Sequence, residues 1–393
     1  VASLLEIVGR YLPTWSQVRN KPTGFAPDAH KTSHQNAGSD EVSVTGLSGT
    51  LADQQDAGAI KGVIIDDAAK ADQKVLAFDE ATDRIIYIEP AVSPPYDESY
   101  WREEAPQPTA QTRILSLAVF NTKLYASTYG TGELQEWNGT DDWIEKAPQL
   151  GSQVNIYALA VFNNKLYGST GNSGVLYEWN GTDAWEEKAV PLNGQTRILS
   201  LTVFPLKLYG GTYPNGLLFE WNGTNAWVQK APQLNGEGQI TAIAVFNDKL
   251  YGGTDDDALL FEWNGTDAWV EKAPQLNEQT QISSLAVFND KLYGGTRPNG
   301  LLFEWNGTDA WVEKAPELNS QIGVSSLTVF EDKLYGGTRE GARLFEWNGT
   351  NLWVEKATAI NGQTLIPSLT VFNDKLYGGT GLLARLFVWR RVY

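Results

Sequence analysis

The chain contains no cysteine and no methionine, and only two histidines in 393 residues. Without Cys, a disulfide framework, a thiolate metal site and a cysteine nucleophile are excluded, and the redox compartment cannot be read. Positive charge is also scarce. Lys and Arg number 30 against 47 Asp and Glu, a formal net charge of -17. A phosphate-backbone partner needs a basic stripe and an anionic membrane needs a basic face, so neither nucleic acid nor membrane insertion is expected. No apolar run approaches the roughly 20 residues that span a bilayer. Both histidines, His30 and His34, precede residue 100. The remainder therefore cannot host Ser-His-Asp, Cys-His or His-metal chemistry. No cofactor is expected.

What is abundant is repetition. The Phe that ends an apolar run falls at Phe120, Phe162, Phe204, Phe246, Phe288, Phe330 and Phe372, always 42 residues apart. A Trp keeps the same step from Trp137 to Trp389, and a second Trp runs from Trp101 to Trp353. Residues 100–393 are thus seven units of 42 residues. Each unit reads as four short strands. In the fifth, strand a is 281–288, Asn289-Asp290 a turn, strand b 291–296, strand c 301–305, and strand d 310–315 after an Asn306-Gly307 hairpin in which both residues take positive φ. The expected fold is all-β, a seven-bladed β-propeller. The last unit stops after strand c, and its missing strand d is Tyr100–Ala105, which would close the ring between the two ends of the repeat array.

Residues 1–99 differ in kind. Val1, Leu4, Leu5, Ile7, Val8, Tyr11 and Leu12 share one helical face, giving an amphipathic N-terminal helix over 1–12 that ends at Pro13. Glu6 interrupts the apolar stretch and no basic leader precedes it, so a secretory signal is not expected. Residues 13–88 read as an extended, polar shaft with one hairpin at 74–88, and 89–99, with Pro90, Pro94 and Pro95, as a stiff linker.

Two resemblances accompany this pattern. The Gly-Gly of strand b (Gly210-Gly211, Gly252-Gly253, Gly294-Gly295, Gly336-Gly337, Gly378-Gly379) and the paired aromatics of strands c and d resemble kelch-type propellers, although the first unit has Ala126-Ser127 instead. The run from His30 to Val42, and that from Gly62 to Asp79, resemble shaft and attachment regions of bacteriophage fibre proteins. That resemblance implies a homotrimeric shaft, a virion structural protein docked through residues 1–60, and a distal domain that contacts the host. The chain would then sit on the virion surface, outside the cell.

Candidate sites follow from what repeats and what does not. The Glu before the strand-c Trp recurs in six units (Glu136, Glu178, Glu220, Glu262, Glu304, Glu346), and a residue copied into every unit suits a structural pairing with the strand-d Lys better than a unique catalytic pair. Asp255-Asp256-Asp257 lacks the alternating spacing of a Ca²⁺ loop and reads as solvated. His30 and His34 read as solvent-exposed; the alternative is a metal held where three shafts meet. The Asn-Gly-Thr sequons are explained by the hairpin, with Thr as a strand former, rather than by glycosylation. The b–c loops and the loops entering strand a vary from unit to unit and emerge on one face. That face is the candidate ligand site, with Arg113, Tyr129, Arg197, Tyr213, Asn215, Arg297, Asn299 and Arg339. The function expected is binding of a host-surface glycan or other receptor without catalysis. A capsid decoration protein or lectin is the alternative within the binding class, and a glycan-cleaving depolymerase the enzymatic one.

Overall fold

The computed structural model describes residues 59–60, 63–64, 75–79, 84–88, 100–148, 153–189, 194–233, 236–276, 278–316 and 321–390. The chain divides into two units, Val1–Tyr96 and Asp97–Tyr393. In the first, Val75–Asp79 pairs antiparallel with Arg84–Ile88, and Ala59–Ile60 with Val63–Ile64. The helix read at 1–12, His30, His34 and the linker at 89–99 lie outside the described residues.

The second unit is all-β, with no helix among the described residues. Five sheets have four antiparallel strands each, in the order a-b-c-d. The remaining eight-stranded sheet consists of two such four-stranded units that meet at the single pair Gly381 and Arg113. In one of these two units the outer strand is Tyr100–Ala105, paired antiparallel with Leu386–Arg390 in a register that sets Trp101 opposite Trp389. Strand d of the last repeat therefore comes from before the first.

The fifth repeat shows how the residues make the sheet. Strand a is Gln281–Phe288, b is Lys291–Arg297, c is Leu302–Trp305 and d is Trp311–Ala315. Turn chemistry differs from the expectation. The two-residue turn with positive φ at both positions is Asn289-Asp290 (φ 47° and 55°), whereas after strand c only Gly307 is left-handed (φ 86°). Asn306 instead keeps its side chain over a five-residue loop. Its Oδ1 accepts from the backbone N–H of Thr308, Asp309 and Ala310 at 2.8, 3.0 and 3.1 Å. Thr308 sits in that loop, not in a strand. Asn is required here as an acceptor for three turn amides, a role a short polar side chain fills from just outside the strand.

Sheets pack face to face through repeated aromatics. Trp179 of the second repeat lies edge-on to Phe120 (6.2 Å between ring centres) and tilted against Tyr125 (5.2 Å) of the first. The same contact recurs in later repeats, and Trp137 of the first repeat meets Phe372 and Tyr377 of the last at 6.1 and 5.3 Å. Each such aromatic pair adds about 0.5–1.5 kcal/mol beyond its burial. The Gly-Gly pair serves the same stacking. A Cβ on Gly294 would lie 3.0 Å from Trp311 of its own sheet, and one on Gly295 would lie 2.7 Å from Val324 of the next. The first glycine admits the strand-d indole and the second admits the neighbouring inner strand. Inner strands are also stitched by serine: Leu159 N–H donates to Ser116 Oγ at 3.2 Å, Ser326 Oγ to the Ile366 carbonyl at 2.8 Å, and Leu117 N–H to Ser368 Oγ at 2.9 Å. The last bond joins the first repeat to the last.

Candidate functional site

The inner strand a and the end of strand b meet along a rim on one face. Cross-strand pairs place Arg113 beside Tyr129, Arg197 beside Tyr213, and Gln281 beside Arg297. Bridges between sheets continue the belt: Tyr129 with Asn155, Asp255 with Gln281, Arg339 with Leu365, and Gly381 with Arg113. These positions vary among the repeats, although the first and third share the same Arg and Tyr, whereas the strands beneath them are nearly copied.

The rim side chains are organised. The Arg113 guanidinium lies over the Tyr129 ring at 5.2 Å, and that of Arg197 over Tyr213 at 4.8 Å and Tyr157 at 5.8 Å. Arg297 Nη1 donates to Gln281 Oε1 at 3.0 Å. Arg339 is half-buried; burial first, then the charges of Arg297 and Arg113, hold its pKa below the ordinary guanidinium value, with Asp255 and Glu340 partly offsetting them. Asp255 is not solvated as the sequence suggested. It is half-buried and accepts from Gln239 Nε2 at 2.6 Å, while Asp256 and Asp257 are exposed. Burial raises the Asp255 pKa against the hydrogen bond it accepts from the Asp256 N–H and the pull of Arg297 and Arg339, with the charge of Asp256 adding to the rise.

Of the residues expected to bind ligand, Arg113, Tyr129, Arg197, Tyr213, Arg297 and Arg339 share this rim. Asn215 and Asn299 have a turn role as well. Their backbone N–H groups donate to the buried Gln195 and Gln279 at 3.3 and 3.4 Å, which shapes the b–c loop. Tyr157 was missed; its place on strand a, opposite an arginine of the next repeat, leaves no mark in the loop sequences. Beneath the rim a buried Gln precedes each strand a, except in the fourth repeat, where Glu237 stands.

The opposite face carries the repeated carboxylates. Glu136 Oε1 accepts from Lys123 Nζ at 2.6 Å, Oε2 accepts from the Tyr125 hydroxyl at 2.9 Å, and Lys146 Nζ lies 3.6 Å away. Burial pushes this carboxyl up, but the hydrogen bonds from Lys123 and Tyr125 and the charge of Lys146 outweigh it and leave the pKa low. The strand-d Lys was expected; the strand-b Lys and the Tyr were not. The last repeat inverts the pattern. Val388 replaces the Glu, and Glu104 stands where the other repeats have Lys, paired with Arg102 and with Arg390 at 3.5 Å.

No protein-family model matches this chain, and no curated protein matches it. Solved structures do. A catalytically inactive virginiamycin B lyase from Staphylococcus aureus, solved with quinupristin, is similar over 74% of this chain and 99% of its own at 10% identity and a TM-score of 0.63. YCF48 from Cyanidioschyzon merolae matches over 74% and 99% at 14% identity (TM-score 0.57), and the WD40 propeller of Doa1 over 74% and 97% at 12% identity (TM-score 0.57). These likenesses define the fold as a β-propeller. One of the similar proteins is an enzyme and YCF48 has also been solved bound to a D1 peptide, so the fold alone assigns neither catalysis nor binding to this chain.

Proposed function

We propose that the chain is a virion fibre or attachment protein with a seven-bladed, kelch-like propeller that binds a host-surface glycan without turnover. One observation carries the reading: in an array whose strands, turns and inter-sheet contacts repeat at 42 residues, variation gathers on one rim rich in Arg and Tyr. Exposed loops on a fixed scaffold are where binding specificity resides. Tyr129 and Tyr213 offer flat faces for sugar rings, and Arg113, Arg197, Arg297 and Arg339 offer planar donors, with Asn215 and Asn299 at the loop tips. The N-terminal fibre resemblance supplies the context, a homotrimer docked to the particle through residues 1–60, so that weak sites on three propellers add by avidity. The repeated Glu are occupied by Lys and Tyr in every unit that has them, which supports binding over hydrolysis.

The test is a glycan array probed with the full chain, run beside a reducing-end assay on any glycan retained. Retention without new reducing ends, lost on Tyr213→Ala with Arg297→Ala while the melting temperature holds, is expected. Release of reducing ends would replace this reading with a depolymerase, and a monomer by light scattering would remove the trimer.

A further inference from the structure

The charges on the two faces are handled differently. On the face of the repeated carboxylates, strand-b and strand-d lysines converge on a glutamate: Lys249 and Lys272 on Glu262, Lys291 and Lys314 on Glu304. On the rim, Arg113, Arg197, Arg297 and Arg339 form no salt bridge among the described residues. Their spacing brings three of them together. Arg339 pairs laterally with Leu365, Leu365 with Gly381, and Gly381 with Arg113, so the two arginines stand three strand steps apart, roughly 15 Å along the rim and within reach of two long side chains. Arg297 approaches from the other side. Its stem crosses Gly323, where a Cβ would come within 2.5 Å of Arg297 Cγ, and Gly323 accepts a backbone bond from Arg339 N–H at 2.9 Å. Arg297 Nε is buried with no hydrogen-bond partner among the described residues. Gly323 occupies a position that is Arg, Asn, Gln or Leu in the other repeats, so the passage that admits Arg297 is particular to this arc.

We propose that this arc is an oxyanion site, and that the ligand is an acidic saccharide whose charged group sits between Arg297, Arg339 and Arg113. This rests on the reading of the propeller as glycan-binding and names the class of glycan. Three guanidinium groups gather here on a chain of net charge -17, and the charges of Asp255 and Glu340 offset their mutual repulsion only in part. A carboxylate or sulfate accepts two parallel N–H bonds from one guanidinium and charge from the others, which a neutral hydroxyl cannot match. The pKa of Arg339, lowered first by burial and then by the charges of Arg297 and Arg113, is consistent with this crowding. On the neighbouring arc, Tyr129, Tyr157 and Tyr213 are held by Arg113 and Arg197, leaving an aromatic shelf for the adjoining sugar rings.

The test is titration calorimetry of the full chain with three probes: oligogalacturonate, a sulfated galactan oligosaccharide, and the carboxyl-reduced, neutral galactan. At least one acidic probe should bind tenfold or more tightly than the neutral one, with affinity falling as salt rises. Arg339→Gln and Arg297→Gln should each weaken that binding about tenfold, while Lys375→Gln, a charge loss at an exposed site on the opposite face, should not. Should a variant fail to fold, the acidic-to-neutral ratio of the unmodified chain decides the matter. Equal binding of neutral and acidic probes, or equal effects of Lys375→Gln and Arg339→Gln, overturns the oxyanion site and leaves glycan attachment standing. Retention of no saccharide at all overturns both.

Discussion

Glu237 is a titratable group set in a place designed for an amide, and replacing it should stabilise the protein in a pH-dependent way. At the equivalent position the other repeats carry Gln111, Gln153, Gln195, Gln279, Gln321 and Gln363. Gln195, Gln279 and Gln321 accept the hydroxyl of a strand-b Thr at 2.7, 2.8 and 2.6 Å. Glu237 is 2% exposed, and its Oε2 has no partner among the described residues. Burial, aided by the charges of Asp257 and Asp256 and opposed by the Thr254 hydroxyl, pushes its pKa up to about 7. Because the folded state holds this proton more tightly than the unfolded one, stability is full at low pH, falls between the unfolded value of 4.5 and about 7, and is flat above. The cost is about 1 kcal/mol at pH 5 and about 3 kcal/mol at pH 8. Glu237→Gln removes it while keeping a side-chain oxygen to accept from the Thr254 hydroxyl. Urea unfolding of both proteins at pH 5 and pH 8 should give a gap that widens by about 2 kcal/mol, and melting at pH 8 should rise by roughly 5–10 °C. A gap of the same size at both pH values, or a variant no more stable at pH 8, would refute the reasoning.

Other outcomes follow from the closure, the glycines and the buried carboxylates. A chain beginning at Glu98 should stay soluble and melt cooperatively, whereas one beginning at Gln107 should expose the edge of Leu386–Arg390 and aggregate, as size-exclusion chromatography will show. Gly253→Ala places a Cβ 2.6 Å from Ile282 Cγ2 of the next sheet and should cost about 1–3 kcal/mol in urea unfolding. Glu262, whose pKa is low because Lys249, Tyr251 and Lys272 outweigh its burial, contributes stability above pH 4.5 that is lost as pH falls. Glu262→Gln should therefore destabilise at pH 7, by about 1–3 kcal/mol, and less at pH 3.

Much of the architecture was legible because the repeat kept its register. An unbroken 42-residue step located the strands to within a residue or so, and the strand displaced from the last unit was found by subtracting that step from Trp143 to reach Trp101. Turn chemistry was less legible. Asn-Gly is a strong two-residue hairpin signal, but the Trp305–Trp311 pair leaves five residues to bridge, and the Asn side chain then acts as an acceptor rather than a left-handed residue. Three-dimensional neighbours were least legible. The six Glu announced a structural role by repetition, yet the strand-b Lys, 13 residues earlier, and the Tyr, 11 residues earlier, become partners only when strands b and c pair. The rim was visible as loop variation, while the convergence of Arg297, Arg339 and Arg113 depends on Gly323 and on the bridges between sheets.

The central claim is that the variable rim, and not the face of Asn-Gly-Thr loops, meets the ligand. Photo-crosslinking tests it most directly: glycans retained by the full chain on an array are tagged with a diazirine, irradiated in complex, and the adducts mapped by peptide mass spectrometry. The account predicts adducts on peptides carrying Arg113, Tyr129, Arg197, Tyr213, Arg297 and Arg339. Adducts confined to peptides of the Asn138, Asn180 or Asn306 loops would contradict it.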